Sequence, residues 1–156
     1  MTTEIEKESE MMKDPEVTVS GPTAEYVQDV SIDDHHFRAD EPVTVGGHDE
    51  GPDPYGLLLA ALGTCTSMTL GWYARQKKLP LQRVTVRLKH SRIHAEDCAS
   101  CETKVGKLDE IQREIELEGP LDAEQRARLL EMADKCPIHR TLTSEIVIRT
   151  QLVESK

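Results

Sequence analysis

A chain of 156 residues is long enough to bury one core and fits a single domain. Its 29 acidic side chains outnumber 19 lysines and arginines, a formal net charge of -10, and phosphate recognition needs the opposite sign, so no nucleic-acid partner is expected. Aromatic residues make up only 3% of the chain, too few for a base-stacking platform.

Residues 1–13 are acidic and Met-rich without a persistent period, and read as a flexible lead-in to a single domain spanning residues 14–156. They lack a basic segment followed by an apolar stretch, so no secretory signal is expected and the location read from the sequence is cytoplasmic. In a reducing compartment, four cysteines are expected to be catalytic, metal-binding or buried rather than structural staples.

Three short β-favouring runs follow, at residues 17–19, at 25–30 and around His36, Phe37 and Arg38, separated by the turn signals Gly21-Pro22 and Asp33-Asp34. They predict an antiparallel meander. A Gly- and Pro-rich entry loop leads to Asp53, an N-cap residue followed by Pro54 at the first helical position.

Residues 54–78 then form the stretch around which the chain is organised. Leu58, Ala61, Leu62, Cys65, Met68 and Trp72 recur at helical intervals, and no charge intervenes before Arg75. About 25 residues at 1.5 Å each make a helix roughly 37 Å long, and one apolar almost all round is expected to be buried almost all round. The uninterrupted apolar run covers only residues 57–62, short of the ~20 residues a bilayer requires, so no membrane partner is expected. One small set of strands covers one side of such a helix. A second copy of the chain is expected on the other, in an obligate two-fold homodimer.

Lys77 and Lys78 suit the helix C-terminus, and Pro80 bars continuation. Residues 82–94 alternate as a half-buried strand, with Val84, Val86 and Leu88 on one face. Residues 108–118 read as a second strand in which Ile111, Ile115 and Leu117 are imperfectly spaced, its charges forming a solvated face. Asp122 with Gln125 predicts a capping box and a helix directing Leu129, Leu130 and Ala133 inward, Pro137 restarts a short turn, and residues 145–152 predict a closing strand. The order β-β-β-α-β-β-α-β is that of an α+β domain with antiparallel strands around a long central helix.

Two thiols are candidates for chemistry. Cys136 precedes Pro137 and so falls at an N-cap with His139 and Arg140 one turn on, a setting of N–H groups and cations suited to a reactive sulfur. Cys65, inside an apolar helix, is expected to have its pKa raised by burial unless a cation or polar partner reaches it.

The segments at residues 51–65, which contain Gly51-Pro52-Asp53-Pro54-Tyr55-Gly56 and end at Cys65, and at residues 135–142, which contain Cys136-Pro137-Ile138-His139-Arg140, resemble the two cysteine motifs of the OsmC/Ohr family of osmotically inducible and organic-hydroperoxide-resistance proteins. The resemblance runs from about Phe37 to the C-terminus. It implies an OsmC-like fold, an intertwined homodimer with cysteine sites at the interface, and thiol-dependent reduction of organic hydroperoxides without a required cofactor. In that scheme Cys65 attacks the peroxide, Cys136 resolves the sulfenic acid to a disulfide, and a dithiol reductant, in relatives a dihydrolipoyl protein, restores both. The arginine that relatives set beside the attacking cysteine is best matched by Arg38. Where efficient peroxidases carry a partner glutamate this chain has Tyr55, which implies weakened activity or a non-catalytic, small-ligand-binding stress-response role. Glu50 is the candidate substitute.

His90, His94, Cys98 and Cys101 form a further cluster, His-x3-His-x3-Cys-x2-Cys. Two thiolates with imidazoles can supply a tetrahedral zinc site. The two histidines sit about 13 Å apart along one strand, so only His94 is expected to join Cys98 and Cys101. A redox dithiol and two loop cysteines without a role are the alternatives.

Overall fold

The computed structural model describes residues 14–154, so the lead-in expected at 1–13 lies outside the described residues. The elements are β1 (Val17–Ser20), β2 (Gln28–Ile32), β3 (His35–Ala39), a 3-10 turn at Val43–Val45, α1 (Pro54–Lys77), β4 (Arg83–His94), a 3-10 turn at Ala95–Asp97, β5 (Lys107–Glu118), α2 (Ala123–Ala133) and α3 (Pro137–Leu142). Two antiparallel sheets and three α-helices among the described residues make this the expected α+β class. The chain divides into two compact units, one ending at Leu57 and the other beginning at Leu58.

In the first unit β1, β2 and β3 form an antiparallel meander. The β2–β3 turn is Asp33-Asp34, with Asp33 in the left-handed region at φ 50°, which a short polar side chain tolerates. The following loop folds around Asp40, only 2% exposed, whose carboxylate accepts the N–H groups of Glu41 (2.8 Å), His48 (3.0 Å) and Glu50 (3.2 Å). Burial alone would push that carboxyl up, but the N–H groups of Glu50, His48 and Glu41 outweigh it and hold it below the usual carboxylate range. Gly51 closes the loop where any Cβ would collide with the Arg38 carbonyl. The Asp53 side chain then caps α1 by accepting the Gly56 N–H at 2.9 Å, with Pro54 first in the helix.

In the second unit α1 buries a stripe at every fourth position, Leu62, Thr66, Leu70 and Ala74, with Gly63 beside it. Leu70 and Ala74 pack against Leu129 and Ala133 of α2, with Val84, Ile115, Leu117 and Leu121 around them. The helix ends at a left-handed Lys78 (φ 53°), where the Leu79 N–H reaches Ala74 O at 2.9 Å and the Lys78 N–H reaches Arg75 O at 3.3 Å, while Leu79 turns into the core. β4 and β5 form a twelve-residue antiparallel hairpin in which Val84 faces Leu117, Val86 faces Ile115 and Leu88 faces Arg113. The capping box of α2 is present, Asp122 accepting the Gln125 N–H at 2.8 Å and Gln125 accepting the Asp122 N–H at 3.0 Å.

Three expectations are corrected. The face of α1 read as inward is not the buried one: Leu58, Met68 and Trp72 are 37%, 72% and 50% exposed, because the hairpin and α2 cover only the Leu62–Ala74 side of the helix. Leu130 is likewise 60% exposed, since α2 presents Leu129 and Ala133 to the core and the next position turns away. Residues 145–152 form no strand, because no described strand of the chain pairs with them, and Ile148 and Leu152 stand 84% and 97% exposed. The 24 residues of α1 also meet the length and composition of a membrane span, which the shorter apolar run had argued against; the core helix of a water-soluble domain passes the same test.

Leu129 is fully buried at the centre of this core, so Leu129→Ala is expected to cost about 2–5 kcal/mol in urea denaturation, whereas Leu130→Ala is expected to cost under about 1 kcal/mol.

Candidate functional site

The connection between α2 and α3 brings the two candidate thiols together. The Cys136 N–H bonds Ala133 O at 3.4 Å, and Pro137 then opens α3, leaving Cys136 at the N-cap with its sulfur accepting the His139 N–H at 3.3 Å. Cys136 is fully buried. Cys65 precedes Thr66 by one position on α1, which rotates it about 100° off the buried stripe and leaves it half-buried. Both sulfurs are free thiols, and Cys65 lies near the Cys136 thiol, the Ile138 N–H and the Thr69 hydroxyl.

Burial pushes the Cys65 thiol up, and the adjacent Cys136 thiol adds to this; the Ile138 N–H and the Thr69 hydroxyl pull the other way without reversing it. The expectation from its place in an apolar helix therefore holds. Nothing in its immediate polar contacts makes Cys65 a ready thiolate.

Beside Thr66, whose hydroxyl lies 3.7 Å from Cys136 Sγ, stands a group that the sequence reading missed. Arg113, only 12% exposed in its side chain, extends from β5 and donates to Thr66 Oγ1 (3.0 Å), Ala133 O (3.3 Å) and Asp134 Oδ1 (2.7 Å). Asp134 also faces His139 Nδ1 at 3.7 Å. A cleft of about 500 Å³ opens beside them, lined by Leu62, Ile111, Arg113, Leu130, Asp134 and His139 among others. The available signal was the gap between Ile111 and Ile115: Arg113 occupies the inward phase there, so the spacing is regular with one charge in it.

Arg38, in the first unit, pairs with Glu50 at 2.5 Å and with Asp29 at 3.5 Å, and these carboxylates hold its guanidinium firmly charged. Glu50 thus supplies a carboxylate to Arg38. The third group of candidates is arranged differently from a metal site. Cys98 and Cys101 are joined by a disulfide with Cα atoms 5.4 Å apart, a form in which neither is a thiolate ligand. His94 is exposed at the end of β4, His90 pairs with Asp109 at 2.9 Å, and no group of three or more His, Cys, Asp or Glu side chains poised for a metal occurs among the described residues.

A family model described as OsmC-like protein matches residues 47–151, which span both free cysteines. The chain belongs to the OsmC-like family. The OsmC-like protein of Mycoplasma pneumoniae shares 21% identity at a TM-score of 0.65, over 85% of this chain and 89% of that one. An organic hydroperoxide resistance protein OsmC from Legionella pneumophila shares 18% identity at a TM-score of 0.62, over 85% and 90% of the two chains. The organic hydroperoxide resistance protein OhrB of Bacillus subtilis shares 18% identity at a TM-score of 0.60, over 84% and 91%. No curated protein matches the sequence. At these identities the solved structures establish the OsmC-like fold, while the family rests on the sequence match.

Unreduced OsmC-like protein, unfolded in guanidinium, is expected to show two titratable thiols per chain, from Cys65 and Cys136, and four after reduction. Four before reduction would mean that Cys98 and Cys101 are free to take up a metal.

Proposed function

We propose that this OsmC-like chain is a thiol-dependent peroxidase that reduces organic hydroperoxides through Cys65 and Cys136. The observation that carries the reading is the proximity of two free thiols that lie far apart in the sequence. The Cys65 thiol gives its proton to solvent, the thiolate attacks the peroxide oxygen, the O–O bond breaks, and Cys65 becomes a sulfenic acid as the alkoxide leaves and takes up a proton from solvent to become the alcohol. Cys136 then attacks that sulfur, a disulfide forms and water departs. A dithiol reductant, for which a dihydrolipoyl protein is the candidate, exchanges with the disulfide and restores both thiols in the cytoplasm.

Burial disfavours the Cys65 thiolate, so the reading needs a cation at that sulfur. Arg38 is proposed for this role, and its pairing with Glu50 supports it, since a carboxylate fixes the orientation of a guanidinium. The protein acts as an intertwined homodimer in this reading. Met68 and Trp72 on the uncovered side of α1, together with the apolar residues 146–148 beyond α3, supply the surface that a second copy would bury.

The test is peroxide consumption with tert-butyl hydroperoxide and a dithiol reductant. Wild-type protein is expected to form a Cys65–Cys136 disulfide by peptide mapping, Cys65→Ser to lose consumption altogether, and Cys136→Ser to stop at the sulfenic acid. Both thiols remaining reduced at millimolar peroxide would rule the reading out and favour small-ligand binding, the alternative that Tyr55 at the place of the family glutamate supports.

The pH dependence follows from the same shift. Only the thiolate attacks, and burial raises the pH at which it forms, so the rate of Cys65 oxidation is expected to climb steadily with pH through the neutral and mildly alkaline range. Arg38→Gln is expected to move that rise to higher pH. A pH-independent rate from neutral upward would show that Cys65 is already ionised.

A further inference from the structure

Thr66 is fully buried, one position after Cys65 on α1, and its hydroxyl touches both the Cys136 sulfur and the Arg113 guanidinium. A threonine hydroxyl has one proton to give and two lone pairs to receive with. The proton goes to Leu62 O, one turn earlier on α1, at 2.7 Å. One lone pair receives the Arg113 Nη1–H at 3.0 Å. The second faces Cys136 Sγ at 3.7 Å. Because the hydroxyl proton is already engaged, the sulfur must be the donor in that contact, and the Cys136 S–H points at Thr66.

The sulfur's own lone pairs then lie on its other side. The sulfur accepts the His139 N–H at 3.3 Å and interacts with the neighbouring Cys65 thiol. Arg113 is held in place beside Thr66, since the same Nη1 also donates to Ala133 O at 3.3 Å and Nη2 donates to Asp134 Oδ1 at 2.7 Å.

We infer that Thr66, locked by Arg113, is a positioning residue that holds the Cys136 proton away from Cys65 and turns a sulfur lone pair toward it, setting Cys136 up as the resolving thiol. The inference rests on the peroxidase reading and deepens it. In the resolving step the Cys136–Cys65 S–S bond forms, the S–O bond of the sulfenic acid breaks, and the hydroxyl departs as water with the proton released from Cys136. The electrons have already passed to the peroxide, so no further oxidant is needed.

The test separates the two chemical steps after addition of tert-butyl hydroperoxide, by trapping the sulfenic acid and by rapid-quench mapping of the disulfide. In Thr66→Val, disulfide formation is expected to slow about tenfold relative to sulfenic acid formation, about what the loss of one hydrogen bond supplies. Thr66→Ser, which keeps the hydroxyl, is expected to restore the wild-type ratio. An unchanged ratio in Thr66→Val, or a Ser variant as slow as the Val variant, would overturn the inference. If Thr66→Val does not fold, Arg113→Met decides, with the same ratio expected to fall several-fold and an unaltered ratio counting against it. A wild-type protein that forms no sulfenic acid would instead defeat the peroxidase reading. The arrangement is then read by infrared spectroscopy of Cys65→Ser, where the Cys136 S–H stretch is expected to rise in frequency with Thr66→Val and to stay put with Thr66→Ser. A band that ignores Thr66→Val would overturn the assignment of the donor.

Discussion

The second unit depends on one packing contact, the stripe of Leu62, Thr66, Leu70 and Ala74 on α1 laid against the inner face of the β4–β5 hairpin and against α2. A helix that is apolar all round has no preferred rotation of its own. The rotation is set by which residues are small enough at the contact: Gly63 lies so close to Leu88 that an added Cβ would meet its methyl group at 2.8 Å, and Ala74 and Ala133 let α1 and α2 approach. Once Thr66 faces inward, Cys65 must sit at the edge of the contact. That edge is where the turn from α2 to α3 delivers Cys136.

Features governed by local chemistry were legible in the sequence. Asp53 before Pro54, the Asp122 and Gln125 box, and Cys136 ahead of Pro137 each state a helix start in a few residues, and all three are found. Pro80 and the lysines likewise mark the end of α1. The inward face of α1 was not legible, because its periodicity carries no phase when nearly every position is apolar. Arg113 was hidden for the opposite reason, a charge standing in the inward register of a strand otherwise read as a charged surface. Glu50 reached Arg38 through a loop folded about Asp40, a carboxylate buried by three backbone N–H groups that no short motif announces. The strand read at residues 145–152 has the right composition, but a strand also requires a neighbour, and composition does not say where that neighbour comes from.

The electrostatic layout divides the chain's two notable arginines. Arg38 is exposed and paired with two carboxylates, whereas Arg113 is sheltered and donates to a hydroxyl, a carbonyl and one carboxylate. A guanidinium in the second setting fixes geometry, because its contacts are directional and largely shielded from water. The disulfide at the hairpin tip is of another kind again. It closes a loop with a sequence separation of only 3, the size at which cross-linking restricts the unfolded chain least.

The phase of β5 has a consequence for how the chain tolerates change in length. Side chains alternate strictly along a strand, so deleting one residue between Lys107 and Arg113 would bring Gln112 or Glu114 to the inward face and turn the guanidinium out to water. Gains and losses at the tip, between Ala95 and Gly106, leave that alternation intact. Length variation in descendants of this sequence should therefore collect in the tip, and the strand that carries Arg113 should keep its length.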